Sequence, residues 1–165
     1  MTEDAHMPPA LPSERVSVRS LTAPSSSEVG ALAELFDLYR VHYGQAHDAA
    51  GSARWLEQNL RSGRMNAFVA DDARKFVGFA VTVEIPASLR LARFWQIRDL
   101  FVLPTHRRRG VGRALLGSVR AAAEASGVLR LAIQTEDQND PALALYGSSG
   151  YVPMSGYRTL VLPLD

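Results

Sequence analysis

The chain contains no cysteine, which excludes a disulfide scaffold, a thiolate metal site and a cysteine nucleophile. It also lacks any apolar run near the ~20 residues that span a bilayer; the longest lies around Phe76–Val83. Charge of one sign is missing too. With 18 basic and 17 acidic side chains the formal net charge is +1, so no overall basic field points to nucleic acid. Met1–Ser13 opens on acids and prolines, not on a basic segment followed by an apolar one, and so does not resemble a secretory signal. A cytoplasmic protein with no membrane or nucleic-acid partner is expected. His42, His47 and Asp48 are the nearest approach to a metal-ligand group, but their spacing alone does not show that they converge, and no metal is expected.

What is present fits one compact domain of 165 residues, 47% of them apolar, enough to bury a real core. Met1–Glu14, with Pro8, Pro9 and Pro12 and few large apolar residues, reads as a disordered tail, leaving 15–165 as the domain. Val16–Leu21 alternates with period two, as a half-buried strand does. Ser25-Ser26-Ser27-Glu28 supplies N-cap chemistry for a helix carrying Val29, Leu32, Leu35, Phe36 and Tyr39 on one face. A further helix is expected over Ser52–Leu60, a hairpin over Asn66–Glu84 and a central strand over Phe94–Leu103. Then come a helix from about Gly110 to Ala125, a strand over Leu129–Gln134, a short helix from Pro141 to Ser148, and one or two strands within Tyr151–Leu162. This order describes an α/β fold with a mixed sheet and helices on both faces.

Two blocks carry chemistry. In the first, the central strand runs through Asp99-Leu100-Phe101-Val102 into Arg107-Arg108-Arg109-Gly110-Val111-Gly112-Arg113, where a helix begins. Helix N-termini favour anions, because their first amides are unpaired and the dipole is positive there. Consecutive arginines at such a place are locally unfavourable unless a ligand brings several phosphate charges. Gly110 and Gly112 would let a phosphate approach the main chain. A solvated basic loop could carry the same residues, but strand, arginines, glycines and helix in this order favour the phosphate site. The nucleotide fingerprints fit badly: there is no G-x-x-x-x-G-K-[ST] loop, and the third glycine of a dinucleotide motif would fall at Leu115.

Arg107-Arg108-Arg109-Gly110-Val111-Gly112 resembles the [Q/R]-x-x-G-x-[G/A] motif of the GNAT superfamily of acyl-CoA-dependent N-acetyltransferases. The second block, Asn139-Asp140-Pro141-Ala142-Leu143-Ala144-Leu145-Tyr146-Gly147-Ser148-Ser149-Gly150-Tyr151, is similar to that family's N-x-x-A-x-x-L-Y-x-x-x-G-[F/Y] pattern. The resemblance implies a mostly antiparallel sheet of about six to seven strands, splayed between the fourth and fifth, with acetyl-CoA as co-substrate. It implies that amides from Arg108 to Arg113, beside Arg107, hold the CoA pyrophosphate, that the backbone of Leu100, Phe101 and Val102 pairs with the pantetheine arm, and that Asn139 contacts that arm. It also implies that Tyr146 protonates the departing thiolate, though alone Tyr146 could equally be a core residue.

The acceptor side is less specified. Direct attack requires an amine that has lost its proton, and Glu84 and Asp99 are the carboxylates placed to take it; either could instead be a structural or solvated charge. The diamine acetyltransferases, a locally similar branch, have a glutamate directly before the aspartate that matches Asp99. This chain has Arg98 there, which counts against polyamines, leaves the base unassigned and could face an acidic group on the substrate. Tyr39–Asp48 is the segment that usually lines the acceptor pocket; its aromatics could recognise an amine, and His42 or His47 could act as base. The expected activity is acetyl transfer to a primary amine of a small molecule or amino-acid-like acceptor. A catalytically silent acyl-CoA-binding module, or acetylation of a peptide or protein amine, are the alternatives. Homodimers are common in the family, and no residue here marks an interface.

Overall fold

The computed structural model describes residues 16–73, 75–156 and 158–164; the tail expected at 1–14 lies outside them. Strand β1 (Ser17–Ser20) leads to helix α1 (Ser26–His42) and helix α2 (Ala49–Arg61). Strands β2 (Met65–Asp72), β3 (Lys75–Ala87) and β4 (Ala92–Val102) follow. Helix α3 (Val111–Ala125), strand β5 (Leu131–Ile133) and helix α4 (Asp140–Ser148) complete the set.

Local chemistry explains the helix starts. The Ser25 hydroxyl accepts from the Glu28 amide at 3.3 Å while the Glu28 carboxylate accepts from the Ser25 amide at 2.9 Å, a reciprocal cap. Asp48 caps α2 by accepting from the Gly51 amide at 2.7 Å. Asn139 caps α4, whose first turn holds Pro141.

The sheet order is β1-β2-β3-β4-β5, antiparallel except for the parallel β4–β5 pair. Helices α1 and α2 cover one face, where Leu32, Phe36, Leu56, Phe79 and Val81 are buried together. Helix α3 covers the other, with Phe68, Ile97, Leu115 and Val119. Because β2 and β3 are enclosed on both faces, Ala67–Ala70 and Val77–Val81 are apolar or glycine at every position, without alternation.

Two features of β4 give it an open edge beside a change of face. Thr82 pairs with Ile97 but Val81 pairs with Asp99, so Arg98 is an extra residue, a β-bulge. Side-chain parity changes there: Trp95 and Ile97 face α3, but after the bulge Leu100 and Val102 face α3 and Phe101 joins the α1 side. In addition, β5 pairs only with Trp95–Ile97. From Arg98 onward that edge of β4 has no neighbouring strand among the described residues.

The described residues form five strands, fewer than the six to seven expected. Among the described residues of Tyr151–Leu162 the expected strands do not form: 151–156 and 158–164 are irregular, with Val152, Leu160, Val161 and Leu162 exposed. Pro153 and Pro163 have no amide to donate and Gly156 takes φ 86°, so alternation of apolar residues is not matched by a continuous ladder. Among the described residues no helix is long and apolar enough to cross a membrane.

The packing of α3 predicts that Leu115→Ala, at a fully enclosed position, lowers unfolding stability by about 2–5 kcal/mol. A urea midpoint equal to that of the parent protein would show that α3 does not carry the core of that face.

Candidate active site

The β4 bulge opens onto a cavity of about 370 Å³, a size suited to a small molecule. Its walls come from α1 (Tyr39), the start of the α1–α2 loop (Tyr43), the bulge (Arg98, Asp99), the β5–α4 loop (Thr135, Glu136) and α4 (Tyr146). In a regular strand, neighbouring side chains point to opposite faces. The bulge is why consecutive Arg98 and Asp99 line one cavity.

Asp99 turns toward α1, where the Tyr39 hydroxyl donates to its Oδ1 at 2.7 Å. Tyr39 is held by rings on several sides, edge-on to Tyr43 at 5.0 Å and to Phe79 at 5.7 Å. Burial pushes the Asp99 carboxyl above the ordinary carboxylate range, and the Tyr39 hydrogen bond and the Arg98 charge only partly offset it. Tyr39 itself is raised by burial and by its bond to Asp99. Tyr146, half-buried across the cavity, is pushed up to about 12 by burial, with Tyr43 and Tyr151 adding to it. No described residue bonds to its hydroxyl.

The loop between α1 and α2, from which Tyr43 reaches the cavity, is anchored by buried Asp37. Asp37 Oδ1 accepts from Arg40 at 2.7 Å, Ser52 at 3.0 Å and the Asp48 amide at 3.1 Å, and Oδ2 is paired with His47. Burial alone would raise this carboxyl; the Asp48, Ser52 and Arg40 bonds outweigh it and hold it low. His47 is thereby committed to the loop anchor, and His42 packs against Tyr43 and Phe101. Neither histidine lines the cavity.

From the cavity, β4 leads to α3. Leu103 donates its amide to Val77 at 2.9 Å, so by strand alternation the backbone groups of Leu100 and Val102 point away from β3, toward the unpaired edge. Arg107 Nε donates to the Val102 carbonyl at 3.0 Å. The Leu100 amide and carbonyl and the Val102 amide remain on that edge. At its end, α3 starts on Gly110 in the left-handed region, φ 82°, after Arg108 at φ 63°. No side chain caps this helix and its first turn has no acid. Arg108 and Arg109 are exposed and make no ion pair among the described residues. This is a donor set suited to a polyanion.

A model of the acetyltransferase (GNAT) family matches residues 32–151, an interval that contains the bulge, the uncapped helix start and α4. The chain belongs to the GNAT acetyltransferase family.

Its GNAT relatives include an uncharacterized N-acetyltransferase, YhfO, of Bacillus subtilis strain 168, 33% identical over 132 residues, 80% of this chain and 89% of that one. A probable acetyltransferase of Haemophilus influenzae is 32% identical over 93 residues, 56% of this chain and 64% of the other. Among solved structures, a probable acetyltransferase superposes with TM-score 0.82 at 26% identity, covering 90% of this chain and 98% of that one. An aminoglycoside acetyltransferase from a soil metagenomic sample gives TM-score 0.78 at 18% identity, covering 91% and 97%, and shares the fold. The chain is thus an acyltransferase of GNAT type.

The sequence-derived GNAT site residues divide in space. Asp99, Leu100, Asn139 and Tyr146 meet at the cavity. Glu84 does not: it accepts from Trp95 Nε1 at 3.2 Å and pairs with Arg93 at 3.0 Å, further along the sheet. At Gly112 a Cβ would lie 3.1 Å from Leu145, so the missing side chain also makes room for α4. Arg113 reaches back to Ser148 at 3.1 Å. Glu136 and Thr135 were missed; their position after a strand's C-terminal end was the available signal.

The raised Asp99 carboxyl sets a sign for stability. The folded chain binds this proton more tightly than the unfolded one, so stability falls as pH rises from the ordinary carboxylate range through the folded pKa. Asp99→Asn keeps an acceptor for Tyr39 and removes the charge. Its melting temperature relative to the parent is expected to climb as pH goes from acid to neutral; a pH-independent difference would mean that burial does not strain this carboxylate.

Proposed function

We propose that the chain transfers the acetyl group of acetyl-CoA to a primary amine of a small molecule or amino-acid-like acceptor by direct attack. The observation that carries this reading is the Tyr39–Asp99 pair at 2.7 Å, facing Tyr146 across one cavity at the open edge of β4. Acetyl-CoA supplies an acyl thioester, whose cleavage leaves a thiolate.

The uncapped amides at the start of α3 receive the CoA pyrophosphate, with Arg108 and Arg109 beside it. The free backbone groups of Leu100 and Val102 hold the pantetheine arm, and Asn139 lines its end. Asp99 takes the proton from the acceptor's ammonium. An amine of pKa ~10.4 in water is lowered by desolvation while a carboxyl is raised, so burial brings donor and acceptor together. The Tyr39 hydroxyl occupies Oδ1 and orients the carboxylate; no described residue donates to Oδ2. Tyr146 then gives its proton to sulfur. A phenol near 12 against a free thiol at ~8.5 would be a poor donor, but the burial that raises the phenol also raises a thiol beside it. A cavity carboxylate held by Tyr39 at 2.7 Å supports the enzyme over a silent acyl-CoA-binding module. The cavity's volume favours a small acceptor over a protein surface.

Two experiments test the assignment. Tyr146→Phe is expected to lower kcat by about 10²-fold or more with the Kd for acetyl-CoA nearly unchanged; undiminished turnover would remove Tyr146 as the acid. At Gly110 a side chain meets no atom within 4 Å, but any residue other than glycine is strained at φ 82°, by roughly 1–2 kcal/mol. Gly110→Ala therefore reports the strain alone, whereas Gly110→Glu adds negative charge at the helix start. Calorimetry is expected to show CoA binding at least about tenfold weaker for Glu than for Ala, since a charge-assisted contact is worth ~1.5–3 kcal/mol. Equal affinities would place the phosphates elsewhere.

A further inference from the structure

The bulge sets opposite charges side by side. Arg98 and Asp99 are adjacent in the chain, and both line the cavity because Arg98 is the extra residue between the Thr82–Ile97 and Val81–Asp99 pairs. An arginine on an ordinary strand is a solvated or paired charge. Arg98 is exposed, yet among the described residues it forms no ion pair or hydrogen bond. Glu136 lines the same cavity but is not within ion-pair distance of it. The influence of Arg98 falls on Asp99, whose Oδ1 is already taken by Tyr39.

Resting on the acetyl-transfer reading above, we infer that the acceptor is a zwitterion of the α-amino-acid type, its ammonium delivered to Asp99 and its carboxylate held by the Arg98 guanidinium. A planar guanidinium matches a carboxylate with two parallel hydrogen bonds. The guanidinium acts on the Asp99 carboxyl and opens onto the same cavity, so an acceptor whose amine and carboxylate are close together suits the two readers. The edge-on pair Tyr39 and Tyr43, with ring centres 5.0 Å apart, forms an aromatic wall for an apolar side chain. A polyamine fits less well: Asp99 and Glu136 would attract it, but Arg98 stands at the same opening and opposes a second cation.

The test compares phenylalanine, phenylalaninamide and putrescine as acceptors, following acetyl-CoA consumption. The amide keeps the amine and ring and loses the anion. The expected result is a kcat/KM for phenylalanine about tenfold or more above that for the amide, carried mainly by KM, with putrescine poorest. In Arg98→Gln the ratio of acid to amide is expected to fall to about one. Equal use of acid and amide by the parent protein, preference for putrescine, or an unaltered ratio in Arg98→Gln would overturn the inference. Binding of phenylalanine and its amide to the CoA complex, measured by calorimetry on both proteins, separates the two levels. A preference for the acid that Arg98→Gln abolishes, with no acetylated product, would overturn direct transfer but uphold the carboxylate reader; binding without that preference would overturn the reader.

Discussion

The site depends on one irregularity of the sheet. At the β4 bulge a single residue, Arg98, is added opposite a partner strand that does not match it. Side chains on a strand alternate strictly, so the addition reverses every later side chain. Without it, Asp99 would share a face with Trp95 and Ile97, which pack under α3, and could not reach Tyr39 on α1. Phe101 would likewise leave the α1 side, where it helps to enclose the Tyr39 ring at 5.8 Å. The same reversal moves the backbone groups of Leu100 and Val102 to the edge that β5 has left. The early end of β5 frees the edge, and the one added residue decides that Asp99 turns into the cavity while Leu100 and Val102 present their backbone groups there.

Burial and charge then act against each other at three places, with different outcomes. Asp37 is fully enclosed but holds its charge, because an amide, a hydroxyl and a guanidinium converge on one oxygen. Asp99 has one hydroxyl donor and a neighbouring charge, too little to offset desolvation, and its carboxyl rises. Tyr146 has no described partner and rises through burial. The difference is one of purpose. The first anchors the α1–α2 loop through Oδ1, which accepts from three donors. The other two line the cavity with few protein partners, which is what the proposed proton-transfer roles would require.

The features legible in the sequence were those encoded locally. Ser25 with Glu28, Asp140 with Pro141, and Gly110 ahead of Val111 mark helix starts within four residues; α1 and α3 begin where those signals place them, and α4 begins one residue earlier, at Asp140, capped by Asn139. The arginines before α3 were likewise readable as a conflict with the helix dipole. What was not legible depends on distant partners. Tyr39 and Asp99 are sixty positions apart, and no local pattern announces their contact or the bulge that permits it. Glu84 looked equivalent to Asp99 as a strand carboxylate, and only the register shows it paired with Arg93 at 3.0 Å. Apolar alternation after Tyr151 has the period of a strand, but the ladder itself needs a neighbour with free amides and carbonyls. Gly112 was legible as a close approach, but not as an approach to Leu145.

The split between β4 and β5 links the two halves of the site. A strand paired on both sides has no backbone groups to offer, whereas an edge strand exposes alternate ones and invites any extended chain. Here the exposed length is short and bounded. Ile97 is the last residue paired to β5, and Arg107 closes the far end by donating to the Val102 carbonyl. Between those limits lie about five residues, or ~16 Å at the rise of a strand, running from the Arg98–Asp99 pair to the loop that enters α3. A ligand whose phosphates rest on the α3 amides and whose arm follows this edge must deliver its other end to the cavity, between Asp99 and Tyr146. Under the proposed reading this edge would set both the direction and the reach of the acyl donor, and the bulge, by turning Asp99 toward the cavity, would put the acid where that donor ends.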